Sequence, residues 1–397
     1  MVCKSRKVTD TKHYSKCIGR LTKGCKQCVT GSKTVLFITG LCSQNCTFCP
    51  ISNLKKNKDV IYANERPITK FSELAEEIKL CDSKGVGITG GDPLVKIDRT
   101  CNWIKKLKKK FGMKFHIHLY TPLVLVSKKN LKKLFLAGLD EIRFHPVINN
   151  NSNNPNNKLW SRIFLASEYN WKIGVEIPVI PGKLSETKKL IDYVCSHINF
   201  LNLNELELSD TNASKLVDQG FRAKDSISYG VSGSEEMAKK LLTYCLNKTS
   251  LSKNKLSVHY CTTTLKDKIQ LANRIKKRAK NVKQEFDILE KDGILIRGAI
   301  YDFSLKPGMG YLDKVKKISL VRKSKILAKL KKIEQKLRKE FKVPKELLSV
   351  DKNKLRLLTN VVVVDELSNY LNGKGFACAI VHEYPTWDAM QLEVEFL

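Results

Sequence analysis

From Thr34 onward, short apolar strands alternate with amphipathic helical stretches at roughly 25–30 residues per repeat, the length of a βαβ unit. The strand candidates are TVLFIT (34–39), GVGIT (85–89), KFHIHL (114–119), EIRFHP (141–146), KIGVEIP (172–178) and NFLNLNELEL (199–208). Between them, SELAEEIKLCDSKG sets Leu74, Ile78 and Cys81 on one helical face, with Ser72 as cap and Gly85 as stop. Ser127 and Ser185 open two further helices in the same way. Six such units predict a parallel sheet curled into an open, partial (β/α)6 TIM-like barrel. A seventh follows in KLSVHYC (255–261) and LKDKIQLANRIKKRAKN (265–281).

Around this rhythm the chain divides into four expected parts. Residues 1–32 form a cysteine-bearing N-terminal extension, and 33–292 the barrel, with its core at 34–210. Residues 293–345 hold a β ribbon and a basic helix over Leu312–Lys342, ended by Pro344. Residues 346–397 form a small α+β module, with NVVVVD as a strand, ELSNYL as a helix, and strands in FACAIVHEY and MQLEVEF.

Thirteen cysteines in 397 residues, with a polar basic N-terminus, do not read as a secreted disulfide scaffold. No apolar run approaches the ~20 residues needed to cross a bilayer, so a cytoplasmic protein with reduced thiols and no membrane partner is expected. In that setting clustered cysteines bind metal. Cys42, Cys46 and Cys49 sit in LCSQNCTFCP, on the loop after the first strand, where a parallel α/β protein places its chemistry. A structural zinc site needs four ligands and no fourth is near. A [4Fe–4S] cluster held by three thiolates keeps one iron open to an exogenous ligand.

The C-x3-C-x2-C spacing, the strand before it and Phe48 before the last cysteine together resemble the radical S-adenosylmethionine (SAM) superfamily. More closely, GCKQCVTGSKTVLFITGLC, DVIYANERP, GITGGDPL, FHIHLYT and GLDEIRFHP resemble an archaeal family described as related to pyruvate formate-lyase activating enzyme. The resemblance implies a radical SAM barrel, a [4Fe–4S] cluster at Cys42, Cys46 and Cys49, SAM chelated to the open iron, and a low-potential electron donor such as ferredoxin or flavodoxin. It implies that Gly90, Gly91 and Asp92 hold the SAM amino group, with Asp92 one methylene shorter than the family's usual Glu. It also places Thr121, Arg143 and His145 at the barrel mouth, on the SAM carboxylate and ribose or on the substrate. Pro181 and Gly182 fall where the family's adenine-side strand ends.

Cys25 and Cys28 form a second pair, suited to a zinc knuckle or an auxiliary iron–sulfur cluster, with Cys261 or His259 as a further ligand, or else to an unliganded turn. Cys81, Cys195 and Cys245 fall on apolar helical faces; Cys3, Cys101 and Cys378 carry no signal.

The formal net charge is +33, from 72 Lys and Arg against 39 Asp and Glu. Genome bias enriches Lys and Asn, as in the run Asn149–Asn157, but does not remove acids. The basic helical stretches therefore point to a phosphate backbone. The expected substrate is structured RNA, tRNA or rRNA, modified at an unreactive carbon. The alternatives are activation or modification of a protein or peptide, and a non-catalytic metal-binding RNA protein.

Overall fold

The computed structural model describes residues 7–11, 13–148, 159–226, 228–248, 256–308 and 310–397. Cys3 and the Asn149–Asn157 run lie outside them. The chain forms two compact units, one up to Arg274 and one from Ile275 on. The division falls at 274/275, not at the expected 292/293.

The first unit is built on one sheet. Its strands in chain order are β1 (Val8–Asp10), β2 (Lys16–Ile18), β3 (Lys33–Phe37), β4 (Tyr62–Ala63), β5 (Arg66–Pro67), β6 (Gly85–Thr89), β7 (His116–Thr121), β8 (Glu141–Phe144), β9 (Lys172–Val179), β10 (Phe200–Glu205) and β11 (Ser257–Cys261). Strands β3, β6, β7, β8, β9, β10 and β11 pair in parallel in that spatial order. Each lies within a few residues of its expected place, and the seventh is present. Each crossover helix buries one face on the sheet, as its 3.6-residue pattern requires. Ser127 does cap its helix, Lys128–Ala137, by accepting from the Asn130 amide, and Gly138 ends it at φ +99°. Ser72 does not cap. The helix Phe71–Leu80 begins one residue before it, where the Glu73 carboxylate reaches back to the Thr69 and Lys70 amides, each at 2.7 Å.

The N-terminal stretch is not a separate extension. Strands β1 and β2 form a hairpin whose second strand pairs antiparallel with β11 and extends the barrel sheet. Helix α1 (Lys23–Val29) packs on β3, β6 and β7. A Cβ on Gly24 would stand 2.4 Å from the Arg143 guanidinium, 2.6 Å from His118 and 2.7 Å from Glu141, all inward-facing side chains. The helix therefore lies inside the barrel, and only glycine fits at that point of contact.

The second unit is also one body, where two modules were expected. It contains β12 (Ile288–Leu289), β13 (Leu295–Asp302), β14 (Leu348–Asp351), β15 (Arg356–Thr359), β16 (Phe376–Glu383) and β17 (Gln391–Phe396), ordered β14-β15-β13-β16-β17, with β12 beside β13. All pairs are antiparallel. The strand–helix–strand–strand–helix–strand order from β13 to β16, with β13 and β15 central, is the split βαβ arrangement. The basic stretch is two helices, Tyr311–Lys317 and Leu320–Lys339, divided at Ser319, whose hydroxyl accepts from the Arg322 amide. NVVVVD is a helix start rather than a strand. Asn360 caps Val361–Glu366, and Val364 packs over Gly298 of β13, so tertiary packing overrides the β-propensity of four valines.

Candidate active site

The loop after β3 leaves the sheet at Thr39 and returns at Asp59. Two groups close it. Arg99 grips both Asp59 oxygens at 2.6 and 2.8 Å, and the Thr39 hydroxyl donates to Asp59 at 2.9 Å. Backbone bonds from Gly40 to Lys58 and from Asn57 to Gly40 pin the neck. Cys42, Cys46 and Cys49 are half-buried on this loop and line one wall of a cavity of about 390 Å³ at the C-terminal ends of the parallel strands. Burial, then the neighbouring thiols Cys49 and Cys42, pushes Cys46 up to about 11. Three thiolates here need a positive centre to balance them. Among the described residues no three His, Cys, Asp or Glu side chains close on one point as ligands of a single ion do.

The adjoining wall comes from the next strand ends. Gly90 and Gly91 line the cavity, and a Cβ on Gly91 would stand 2.3 Å from the Leu41 carbonyl and 2.8 Å from the Cys42 side chain. The glycines therefore let this turn lie directly against the cysteine loop. Asp92 is fully buried behind that wall and does not line the cavity. Its Oδ1 accepts from the Leu94 amide at 3.0 Å and from the Thr121 hydroxyl at 2.8 Å. Its Oδ2 has no partner among the described residues, and burial raises the carboxyl to about 6. Thr121, which Asp92 braces, does line the cavity. His145 lines it too. Its Nδ1–H donates to the Glu176 carbonyl at 2.8 Å and its ring lies 5.7 Å from that of Phe48, while burial holds the imidazole below its usual pKa and so neutral.

Arg143 is not at the mouth. Its side chain is 2 % exposed on the barrel floor, donating to Glu141 at 2.7 Å, Glu176 at 2.8 Å, the Tyr120 hydroxyl at 3.1 Å and Thr22 at 3.3 Å, with the Cys25 sulfur at 3.5 Å. All its donors are spent within the fold. The expected contact with SAM is withdrawn because Glu141, Glu176 and Tyr120 on the strands, with Thr22 and Cys25 at α1, take its donors.

Three cavity residues were not anticipated. Glu176 receives Arg143, Asn202 at 2.8 Å and Asn204 at 3.1 Å. Burial opposes its charge, but the guanidinium and the two amides hold it below the usual carboxylate range. Its signal was a lone acid among the apolar residues of VEIPV. Lys266 pairs with Glu207 at 2.9 Å, and both line the cavity. Lys266 stands in a wide, π-type turn over Leu265–Leu271, a feature that often marks functional sites.

Cys25 and Cys28 lie on α1 in the lumen. Burial opposes ionisation of Cys25, but Arg143 and His259 beside it bring the thiol down to about 7; burial pushes Cys28 up to about 11. His259 and Cys261 project from β11 and both are buried, yet neither His259 nitrogen has a partner among the described residues. Among the described residues no three of these side chains converge as ligands of one ion, so a second metal site is not shown. Cys81, Cys195 and Cys245 are buried, as their helical faces suggested.

The family model described as Radical SAM superfamily matches residues 36–194, and one described as Domain of unknown function (DUF8061) matches 320–397. A Methanocaldococcus jannaschii protein, named as a candidate glycyl-radical enzyme activating enzyme, is 47% identical over 290 residues, covering 72% of this chain and 75% of the relative. Among solved structures, Streptococcus suis SuiB bound to S-adenosylmethionine aligns at 10% identity and TM-score 0.40, over 58% of this chain and half of that one. Methylornithine synthase aligns at 11% identity and TM-score 0.37, over 62% of this chain and 79% of that one.

Proposed function

The chain belongs to the radical SAM superfamily, and from that premise we propose that it takes a hydrogen atom from a protein partner, as an activator of a glycyl-radical enzyme. A [4Fe–4S] cluster held here would supply the electron for reductive cleavage of SAM to a 5′-deoxyadenosyl radical. The residues present fit that group. Three half-buried thiols on one clamped loop line the cavity, and the Gly91 turn lies against them where a Cβ would intrude. Cys42, Cys46 and Cys49 would hold the cluster, Gly90, Gly91 and Thr121 would seat SAM, and Phe48, Pro178 and Leu206 keep part of the wall apolar. The Glu176 carboxylate, the Lys266–Glu207 pair, Lys56 and Glu205 are charged groups that line the cavity and could orient a bound molecule.

The observation that carries the protein-partner reading is the 47% identical relative and its name. The RNA reading rested on charge alone. Anaerobically reconstituted protein with SAM and a reductant should release 5′-deoxyadenosine and raise a glycyl-radical doublet in the EPR of a partner polypeptide from the source cells. Replacing Cys42, Cys46 and Cys49 by Ala should abolish both. Loss of a modified tRNA or rRNA nucleoside on deleting the gene, with no such doublet in any protein fraction, would reverse the choice of substrate.

A further inference from the structure

The second unit holds a cavity of about 430 Å³ that the radical chemistry does not use. Lys354 lines it from the tip of the β14–β15 hairpin. A lysine at a hairpin tip normally reaches into water, because an ammonium loses several kcal/mol of hydration on burial and gains rotamer freedom outside. Lys354 instead is 5% exposed, and its Nζ has no hydrogen-bond partner among the described residues. The backbone around it is fixed in that posture. The Asp351 carboxylate accepts from the Lys354 amide at 3.1 Å, the Tyr311 hydroxyl donates to the Lys354 carbonyl, and Leu355 follows at φ +50°. Burial, with Arg356 next, lowers the Lys354 pKa to about 8, against the pull of Glu383, Asp351 and Asp388. Glu383 and Asp351 are already engaged by Arg356.

The rest of the cavity specifies what the ammonium faces. Asp388, Glu393 and Asp313 line it as well, with Leu312, Leu392 and Val394 as apolar wall. Asp313 is paired with Lys316 at 3.1 Å, so a bare anion would meet Asp388 and Glu393, and a bare cation would meet Lys354. A molecule carrying both signs on a short apolar body satisfies both sets of groups. We infer that this cavity binds a small zwitterion, an α-amino acid with an apolar side chain, its carboxylate on Lys354 and its ammonium toward Asp388 and Glu393. The volume is in the range of small-ligand pockets. A charge-assisted bond to a buried lysine is worth enough to make the difference between binding and none.

The test is calorimetric titration of the full chain with L-leucine, L-methionine and L-phenylalanine. The controls are 4-methylpentanoate and 3-methylbutylamine (leucine without its amino or its carboxyl group) and inorganic phosphate. At least one amino acid should bind one to one, and the two half-molecules tenfold or more weaker. Lys354→Met should reduce that binding at least tenfold while 5′-deoxyadenosine release is unchanged and the melting temperature is equal or higher. Should Lys354→Met prove unfolded, Asp388→Asn serves in its place and should weaken the amino acid but not 4-methylpentanoate. Absence of binding by all three amino acids overturns the proposal. So does undiminished binding in the variant, or phosphate binding in preference.

Discussion

Asp92 shows how far one side chain can move from the role its motif suggests. The motif aims its carboxylate at the SAM ammonium, whereas in the fold Oδ1 serves the Leu94 amide and the Thr121 hydroxyl from behind the cavity wall. On this geometry Asp92 would act on SAM through Thr121, as a positioning residue. Asp92→Asn keeps the carbonyl acceptor for both bonds, so SAM affinity, read by equilibrium binding to the cluster-loaded protein, should stay within about threefold of wild type. Asp92→Ala removes both bonds, each worth about 0.5–1.5 kcal/mol, and should weaken SAM roughly tenfold. A tenfold loss in the Asn variant would instead restore direct recognition of the ammonium. Arg143 makes the complementary point. Its guanidinium neutralises Glu141 and Glu176 in a site almost closed to solvent, and what it determines at the cavity is the charge of Glu176.

At the scale of elements, α1 is the piece that makes this barrel particular. An open parallel sheet leaves a lumen to be filled, and here a seven-residue helix fills it with Gly24 against Arg143, His118 and Glu141. That face admits no added atom, since the neighbours are held by ion pairs and cannot retreat singly. Gly24→Ala should therefore cost at least about 1–3 kcal/mol, the usual penalty of overpacking, visible as a lower melting temperature and faster cluster loss. An Ala variant as stable as wild type would show that the helix can withdraw. Cys25→Ser, which adds no atoms, should leave both quantities close to wild type. The cysteine loop is organised in the opposite way. It is long: its neck is fixed by Asp59, Arg99 and Thr39, the Asn212 side-chain amide donates to the Phe48 carbonyl at 3.0 Å, and the three thiols stay half-buried at the cavity.

For the whole molecule, the net charge of +33 has a different meaning once the fold is seen. Part of the basic helix Leu320–Lys339 is engaged internally: Lys329 bonds Asp302 at 2.7 Å and the Gly375 carbonyl at 2.8 Å, and Lys336 pairs with Glu340 at 3.4 Å. The helix's other Lys and Arg side chains still outnumber its single acid, Glu334. Any RNA affinity should then fall steeply with salt through counterion release, show no preference between tRNA and a random duplex, and not alter 5′-deoxyadenosine release. A salt-resistant preference for one RNA, measured by filter binding across a salt series, would argue for a built RNA surface. Among the described residues no helix is long and apolar enough to cross a membrane.

Sequence alone determined the features whose information is local. The strand–helix rhythm, the seven parallel strands and the cysteine loop depend on periodicity and spacing over tens of residues, and each was legible. The helix at Val361–Glu366 was misread because its valines answer to Gly298, on a strand more than sixty residues away. The same reason hid the rest. Arg143 meets Cys25 across 118 positions and Glu176 across 33, and Lys354 is buried because Tyr311 and the last strand close over it. Such pairings follow from which strands lie side by side and in what register. That is settled by packing each unit's whole sheet, in the first unit around α1, and no single stretch of the chain carries it.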